Sequence, residues 1–241
     1  MRLSNVVASE LDKLRTLPGV VLTAVGTAAT GVAIAAALVA SSAGRGVSLS
    51  STDVTIEAVP FVQAGLILLG VFPACHEHTG SQLRTTLAAV PHRGLLLAGK
   101  TVATLVVVAL TVAASVGGLL AAAVITQHLV DAPVDDGGTR TWLVLGAATY
   151  LVLVGMLSHA VALLVRHLVP ALVGTLSLIL IVSPVLAGLS EHARWLPDRA
   201  ARQLYDPADA VLTATTGALV MLAWIVLAGA VATVQFVRRD A

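Results

Sequence analysis

Six long apolar stretches constrain this chain more than any other feature of its sequence. They cover about residues 20–41, 58–75, 101–125, 142–165, 170–189 and 211–236. A helix of about 20 mostly apolar residues crosses the hydrocarbon core of a bilayer. The second stretch is the shortest and contains Pro60, Gln63 and Pro73. The pattern predicts an all-α membrane protein with six transmembrane helices between residues 20 and 237.

The composition supports a bilayer as the solvent. The chain is 57% hydrophobic and only 11% charged, with a mean hydropathy of +0.94, whereas ordinary soluble domains are about 25% charged. A single cysteine, Cys75, excludes an intramolecular disulfide. The first apolar run is longer than the apolar core of a secretory signal, about 7–15 residues, and it follows a long polar start, so we expect it to be a membrane span.

Basic residues predict the orientation of the six spans. Placing the N-terminus inside puts nine Lys and Arg residues in the inner segments and five in the outer ones. Inner segments of membrane proteins carry the excess of basic residues. We therefore expect both termini in the cytoplasm, residues 190–210 outside, and a basic tail over residues 238–241.

Residues 1–19 precede the first span. Apolar side chains recur at helical spacing at Leu3, Val7, Leu11, Leu14 and Leu17. This periodicity favours an amphipathic helix in the inner membrane interface, followed by an elbow at residues 18 and 19. The alternative is a solvated N-terminus.

Rows of small residues occur at every fourth position in two of the spans. Such rows allow helices to approach each other closely inside a membrane. They predict a packed bundle and a possible face for self-association. The rows are Ala29, Ala33 and Ala37 in the first span, and in the third Ala113, Gly117 and Ala121 with Ala114, Gly118 and Ala122 beside them.

A match to the phosphate-binding P-loop pattern occurs at Gly94, Gly99, Lys100 and Thr101. A true P-loop follows a strand and forms a turn whose backbone N–H groups surround phosphates. Here the variable positions are leucines and an alanine, and an apolar span follows. The context favours a helical entry to span 3 with Lys100 as a basic anchor, and no nucleotide site on this chain.

Three other polar groups of residues do not form a recognisable catalytic or metal site. In "CHEH", residues 75–78, adjacent ligands point in different directions on a helix, so a polar end of span 2 is the favoured interpretation. The "DDGG" at residues 135–138 is typical of a turn. Ser158 and His159 lack the surroundings of a nucleophile and its base. We expect no catalytic residue and no metal.

The loop between spans 2 and 3, residues 77–100, is the most informative segment. Leu83, Leu87 and Val90 recur on one face of a predicted helix that ends at Pro91. A short helix that projects from the membrane with an exposed apolar edge is typical of a docking element.

This loop carries a resemblance to a known family. Glu77, Gly80, Arg84, "TTLAAVPHR" and Lys100 resemble the corresponding loop of ABC-2 type ABC transporter permeases, in the small export type of actinobacteria. "SELDKLRTLPG" resembles the interfacial helix of that family, "WLPDRAARQLYDP" its outer segment between spans 5 and 6, and "RRD" its basic tail.

The resemblance implies a transport permease in the bacterial plasma membrane. It would pair with a second permease copy, or a related permease, and with two soluble ATPase subunits that bind ATP and Mg. The implied coupling helix docks on the ATPase; it spans about residues 82–90, and the residues that we expect to couple are Glu77, Gln82, Leu83, Arg84, Leu87 and Val90.

Mildly polar positions within the spans are candidates for the path of the cargo, and serine or threonine can instead satisfy carbonyls of its own helix. The apolar spans suit a drug, peptide or lipid. Two alternative functions remain: a non-transporting anchor or sensor subunit with the same docking loop, and an intramembrane enzyme. The path candidates are Gln63, Thr104, Thr111 and Ser115.

Overall fold

Helices make up all the regular structure that we describe. The computed structural model describes residues 2–47, 49–75, 93–130, 140–207 and 211–239, including their side chains except those of 93 and 236–239. The helices are α1 Leu3–Thr16, α2 Pro18–Ala43, α3 Ser51–Cys75, α4 Arg93–Leu129, α5 Thr141–Val165, α6 Leu168–Leu189, α7 Pro197–Arg202 and α8 Ala214–Arg239, and a 3₁₀-helix covers Glu191–Trp195.

Six of these helices, α2 to α6 and α8, are long and apolar enough to cross a membrane. The sequence-based prediction of an all-α chain with six helices of membrane-spanning length and hydropathy is confirmed. Two helices begin earlier than predicted. α3 begins at Ser51 rather than about 58 because Ser50 and Asp53 form a reciprocal cap, with each backbone N–H donating to the other side chain at 3.2 and 3.1 Å. α4 begins at Arg93 rather than about 101.

The centre of the bundle is the pair α3 and α5. In the apolar windows of these two helices 67% and 61% of the residues are buried, against 17–33% in the other four. Gly70 and Gly155 let them cross closely, since a Cβ on Gly70 would lie 2.2 Å from the Gly155 carbonyl oxygen. α2 and α4 pack on one side of this pair, and α6 and α8 pack against it elsewhere.

Two of the three small-residue rows of α2 and α4 lie outside this packing. The side chains of Ala29, Ala33 and Ala37, and those of Ala113 and Ala121, are exposed on the bundle surface, as is Gly117. The neighbouring row of α4 does pack inside the bundle, since a Cβ on Gly118 would lie 3.1 Å from Val32 Cγ2 of α2. The self-association face stays a prediction. The closest contacts use other glycines, because rows that face outward cannot contact a helix of the same chain.

α1 packs against the first turns of α4. Its buried residues are Val6, Glu10 and Leu14, and a Cβ on Gly99 would lie 2.5 Å from Val6 Cγ1. The buried stripe thus differs from the predicted apolar row, whose first member Leu3 is exposed. Lys13 Nζ pairs with the buried Glu10 carboxylate at 2.6 Å.

The two ends of the bundle are distinguished by their connections. Gln127 Nε2 donates to the Leu49 carbonyl at 2.8 Å, and Arg140 N donates to Thr52 Oγ1 at 3.0 Å. These bonds place residues 49, 52, 127 and 140 together at what we call the Leu49 end. The opposite end, where α1 contacts α4, is called the α1 end.

Candidate functional site

The 3₁₀-helix and α7 form a polar segment that packs against α5 and α8 at the Leu49 end of the bundle. A Cβ on Gly146 of α5 would lie 1.9 Å from the Leu204 carbonyl oxygen, and one on Gly217 of α8 would lie 2.0 Å from that of Ala200. Only glycine leaves room for these backbone contacts. Trp224 Nε1 also donates to the Trp195 carbonyl at 3.2 Å. The segment is therefore held in place by two transmembrane helices.

α6 changes its winding beside this segment. Leu178–Val182 is a π-helical turn within α6, and the α-helix resumes at Ser183 and Pro184. Single π-helical turns are rare and frequently occur at functional sites. The change of winding brings the buried Ser183 hydroxyl within hydrogen-bond distance of α7.

Ser183, Asp198 and Arg199 form a buried polar chain between α6 and α7. Ser183 Oγ donates to Asp198 Oδ2 at 2.5 Å and accepts from Arg199 Nε at 3.1 Å. Asp198 is only 6% exposed, and its Oδ1 has no hydrogen-bond partner among the described residues. Burial raises the pKa of Asp198 above its ordinary value, while the Ser183 hydrogen bond and the Arg199 charge oppose that rise.

Aromatic and amide groups continue this polar region into the membrane-spanning helices. The Tyr150 hydroxyl of α5 donates to Gln63 Oε1 of α3 at 2.8 Å. The Tyr150 and Tyr205 rings lie with centroids 5.0 Å apart and planes tilted by 59°. Burial is the main cause that raises the pKa of Tyr205 to about 12, so its phenol is neutral at physiological pH.

These side chains surround a cavity of about 260 Å³, which we call the Tyr150 cavity. A larger and more open cleft of about 640 Å³, the Arg194 cleft, lies beside it. Arg199 and Arg202 line both spaces and thus stand between them. The Tyr150 cavity is lined by Ile56, Pro60, Gln63, Tyr150, Ile179, Leu180, Pro184, Asp198, Arg199, Arg202 and Tyr205.

The predicted path residues separate into two groups. Gln63 lines the Tyr150 cavity, whereas Thr104, Thr111 and Ser115 are buried in α4 and do not line it. Thr111 Oγ1 donates to the Val107 carbonyl of its own helix at 2.9 Å. The hydroxyls of Thr104 and Ser115 have no hydrogen-bond partner among the residues that the structure describes. The structure therefore does not bring the four candidates together.

The predicted coupling residues Glu77, Gln82, Leu83, Arg84, Leu87 and Val90 lie outside the described residues, as do "DDGG" and His76 to His78. The residues of the P-loop pattern, Gly94 to Thr101, are helical and belong to α4. Lys100 is buried, and its Nζ donates to the Pro73 carbonyl at 3.3 Å.

Ser158 and His159 do not act on each other in α5. Ser158 Oγ donates to the Val154 carbonyl at 2.8 Å. His159 Nδ1 lies 3.3 Å from the Gly70 carbonyl oxygen, and the side chain is buried in the α3–α5 contact. Within the described ranges no three His, Cys, Asp or Glu side chains form a group that could hold a metal ion.

Sequence reasoning missed Tyr150, Ser183, Asp198, Arg199 and Tyr205. The last three lie within "WLPDRAARQLYDP", which is the most polar stretch between the last two spans and was the available signal. Tyr150 is a single hydroxyl-bearing aromatic residue in an apolar span. A polar residue within a span faces protein or a cavity by default.

Comparison with protein-family models gives no matching family for this chain. Comparison with curated proteins gives no matching relative.

Proposed function

We propose that this chain is the permease subunit of an ATP-driven ABC-2 type exporter in the bacterial plasma membrane. Two soluble ATPase subunits bind ATP and Mg, and a second permease copy or a related permease completes the complex. The cargo is a hydrophobic or amphipathic molecule such as a drug, a peptide or a lipid. The proposal is supported by the six apolar helices and by the resemblance of residues 77–100 to the coupling loop of that family.

The observation that carries the proposal is the packing of α1 against the start of α4. Val6 contacts Gly99 and packs with Leu96. The segment with the proposed coupling residues runs between Cys75, at the end of α3, and Arg93, at the start of α4. A force applied to that segment therefore acts directly on α3 and α4, and through α4 on α1.

In the proposed mechanism, closure of the ATPase subunits moves residues 82–90 and displaces α1, α3 and α4 together. α3 carries this motion through the membrane, because it packs along α5 at Gly70 and Gly155. Midway along its length α3 holds Gln63 against Tyr150. A shift of α3 thus changes the shape of the Tyr150 cavity, which extends from the middle of α3 toward the Leu49 end.

Co-purification tests the proposal. The tagged chain, expressed with the operon or genomic neighbours of its gene, is expected to bring down a soluble ATPase in a one-to-one ratio, and vesicles with both proteins should move cargo only with ATP. The variant R84A and the double variant L83A/L87A should retain the complex partly but lose the link between hydrolysis and transport. T85A, a neighbour outside the apolar edge, is the matched control.

Two outcomes contradict the proposal. Purification of a stable chain without any ATPase would remove the ABC assignment. A stable complex that hydrolyses ATP with no movement of any cargo would favour the sensor subunit instead.

A further inference from the structure

We propose that the Tyr150 cavity binds the uncharged, hydroxyl- or amide-bearing head group of an amphipathic molecule. The bonding capacity, charge, size and position of the cavity each support this ligand class.

The cavity wall offers both hydrogen-bond donors and an acceptor. Asp198 Oδ1 is buried, lines the cavity through its residue, and has no partner among the described residues. The Gln63 amide and the Arg199 guanidinium, which carry N–H donors, line the same cavity. A buried polar atom without a partner costs about 1–3 kcal/mol, so a ligand that supplies the bond is stabilised. A hydroxyl or an amide both donates and accepts, and so fits both kinds of group.

The charges around the cavity compensate one another. Arg199 Nε lies 3.9 Å from Asp198 Oδ2, and Arg202 forms a bond of 2.7 Å with Asp206 Oδ2. Two guanidinium groups therefore face two carboxylates. A ligand with a net charge would leave one of these pairs uncompensated in a partly buried site, which is unfavourable. An uncharged head group leaves both pairs intact.

Size and position indicate that only the head of the ligand enters. Sites for whole drug-sized ligands measure about 300–1,000 Å³, and this cavity is smaller, at about 260 Å³. Its apolar wall is formed by Ile179, Leu180 and Pro184 of α6. Leu180 is 43% exposed on the surface of a transmembrane helix. An apolar tail can therefore leave the cavity along the π-helical turn and enter the lipid.

This inference does not depend on the proposed function, although under that function the bound molecule is the cargo. Binding is measured here without ATP or any partner, so failure of the ATPase to co-purify leaves it untouched. Conversely, a cavity that binds nothing leaves the coupling proposal open to its own test.

The experiment compares three probes with the same ten-carbon tail: monodecanoylglycerol, decyltrimethylammonium and decyl phosphate. The full chain is placed in nanodiscs of phosphatidylcholine, and its thermal unfolding is followed as each probe is titrated. A ligand that binds the folded state raises Tm in a saturable way. We expect saturation with monodecanoylglycerol alone. Equal shifts with all three probes would mean simple partitioning into the lipid, and no shift would mean that the cavity holds only water; either result overturns the inference.

Two variants with opposite charge changes sharpen the test. In D198N the one remaining acceptor oxygen is used by Ser183, an amide N–H₂ donor takes the place of the second carboxylate oxygen, and Arg199 is left uncompensated. Affinity for monodecanoylglycerol should therefore fall about tenfold, and decyl phosphate should begin to bind. R199Q leaves Asp198 uncompensated, and decyltrimethylammonium should begin to bind. D12N changes an exposed carboxylate on α1 and serves as the control. If D198N and R199Q bind the three probes with the same order of affinity as the wild type, the roles assigned to Asp198 and Arg199 are wrong.

Discussion

At the scale of single residues, the notable feature is a set of polar side chains buried where apolar ones would suffice. Gln63 and Tyr150 are 6% and 3% exposed and bond to each other between α3 and α5. Polar groups inside a membrane protein are costly and usually serve a function. Both side chains line the Tyr150 cavity, so we expect their function to lie there.

The Tyr150–Gln63 bond makes a specific prediction for stability. Y150F removes the donor and leaves the buried Gln63 oxygen unpaired, so we expect a loss of about 1–3 kcal/mol. The double variant Q63L/Y150F removes both partners and should recover much of that loss. Unfolding of the detergent-solubilised chain measures both values. If the double variant loses as much free energy of unfolding as the two single variants together, or more, the pairing is contradicted.

The carboxyl of Asp198 makes a prediction for pH dependence. Its folded-state pKa is raised by burial, so folding favours the protonated form. The contribution of Asp198 to stability is therefore largest at low pH and is lost as the pH rises through the folded pKa. D198N cannot ionise, so the Tm of the wild type minus that of D198N should fall as the pH rises from about 4 through the raised pKa of Asp198. A difference that rises over this range would contradict the sign.

Single residues were only partly predictable from the sequence. Gln63 stands out because it is an amide within an apolar run. The partners of Asp198 and Tyr150 were not predictable, because Ser183 lies 15 residues from Asp198 and Gln63 lies 87 residues from Tyr150. Only the packing of four helices brings these groups together.

At the scale of helices, hydropathy predicted which segments form helices long and apolar enough to cross a membrane. Local chemistry set where these helices begin. The cap formed by Ser50 and Asp53 extends α3 beyond its apolar run. Hydropathy could not predict which small residues pack, because a row of alanines has the same sequence signature whether it faces lipid or a helix. The two central helices, α3 and α5, make close backbone contact where they cross at Gly70 and Gly155.

A pair of glycine variants tests this crossing. G70A places a methyl group where the Gly155 carbonyl oxygen lies, so the two central helices must separate at a cost of about 1–3 kcal/mol. G117A is the matched control, since a Cβ there meets nothing within 4 Å, and it should leave stability unchanged or raise it by about 0.5–1 kcal/mol. Thermal unfolding in one detergent compares the two. Equal effects would show that Gly70 is not at a close crossing.

At the scale of the whole molecule, the two ends of the bundle have different roles. Under the proposed function the α1 end receives a force, and the Leu49 end holds the Tyr150 cavity and the Arg194 cleft. α3 contributes to both, since its last residues border the proposed coupling segment and Gln63 lines the cavity. Gln63 is the middle residue of α3, so such an arrangement separates the proposed coupling segment from the ligand site by about half the length of that helix, roughly 18 Å.

The assignment of the two ends to the two sides of the membrane is the last prediction. Nine of the 14 Lys and Arg residues belong to segments at the α1 end or next to it in sequence, and basic residues mark the cytoplasmic side. We expect a green fluorescent protein fused after Ala241 to fluoresce, and alkaline phosphatase fused there to be inactive. The same two reporters fused after Val47 should give the opposite results, because one span separates Val47 from the N-terminal segment. If both fusion sites report the same side, the chain does not have six spans; if both results are exchanged, the Tyr150 cavity opens toward the cytoplasm and the proposed direction of force is reversed.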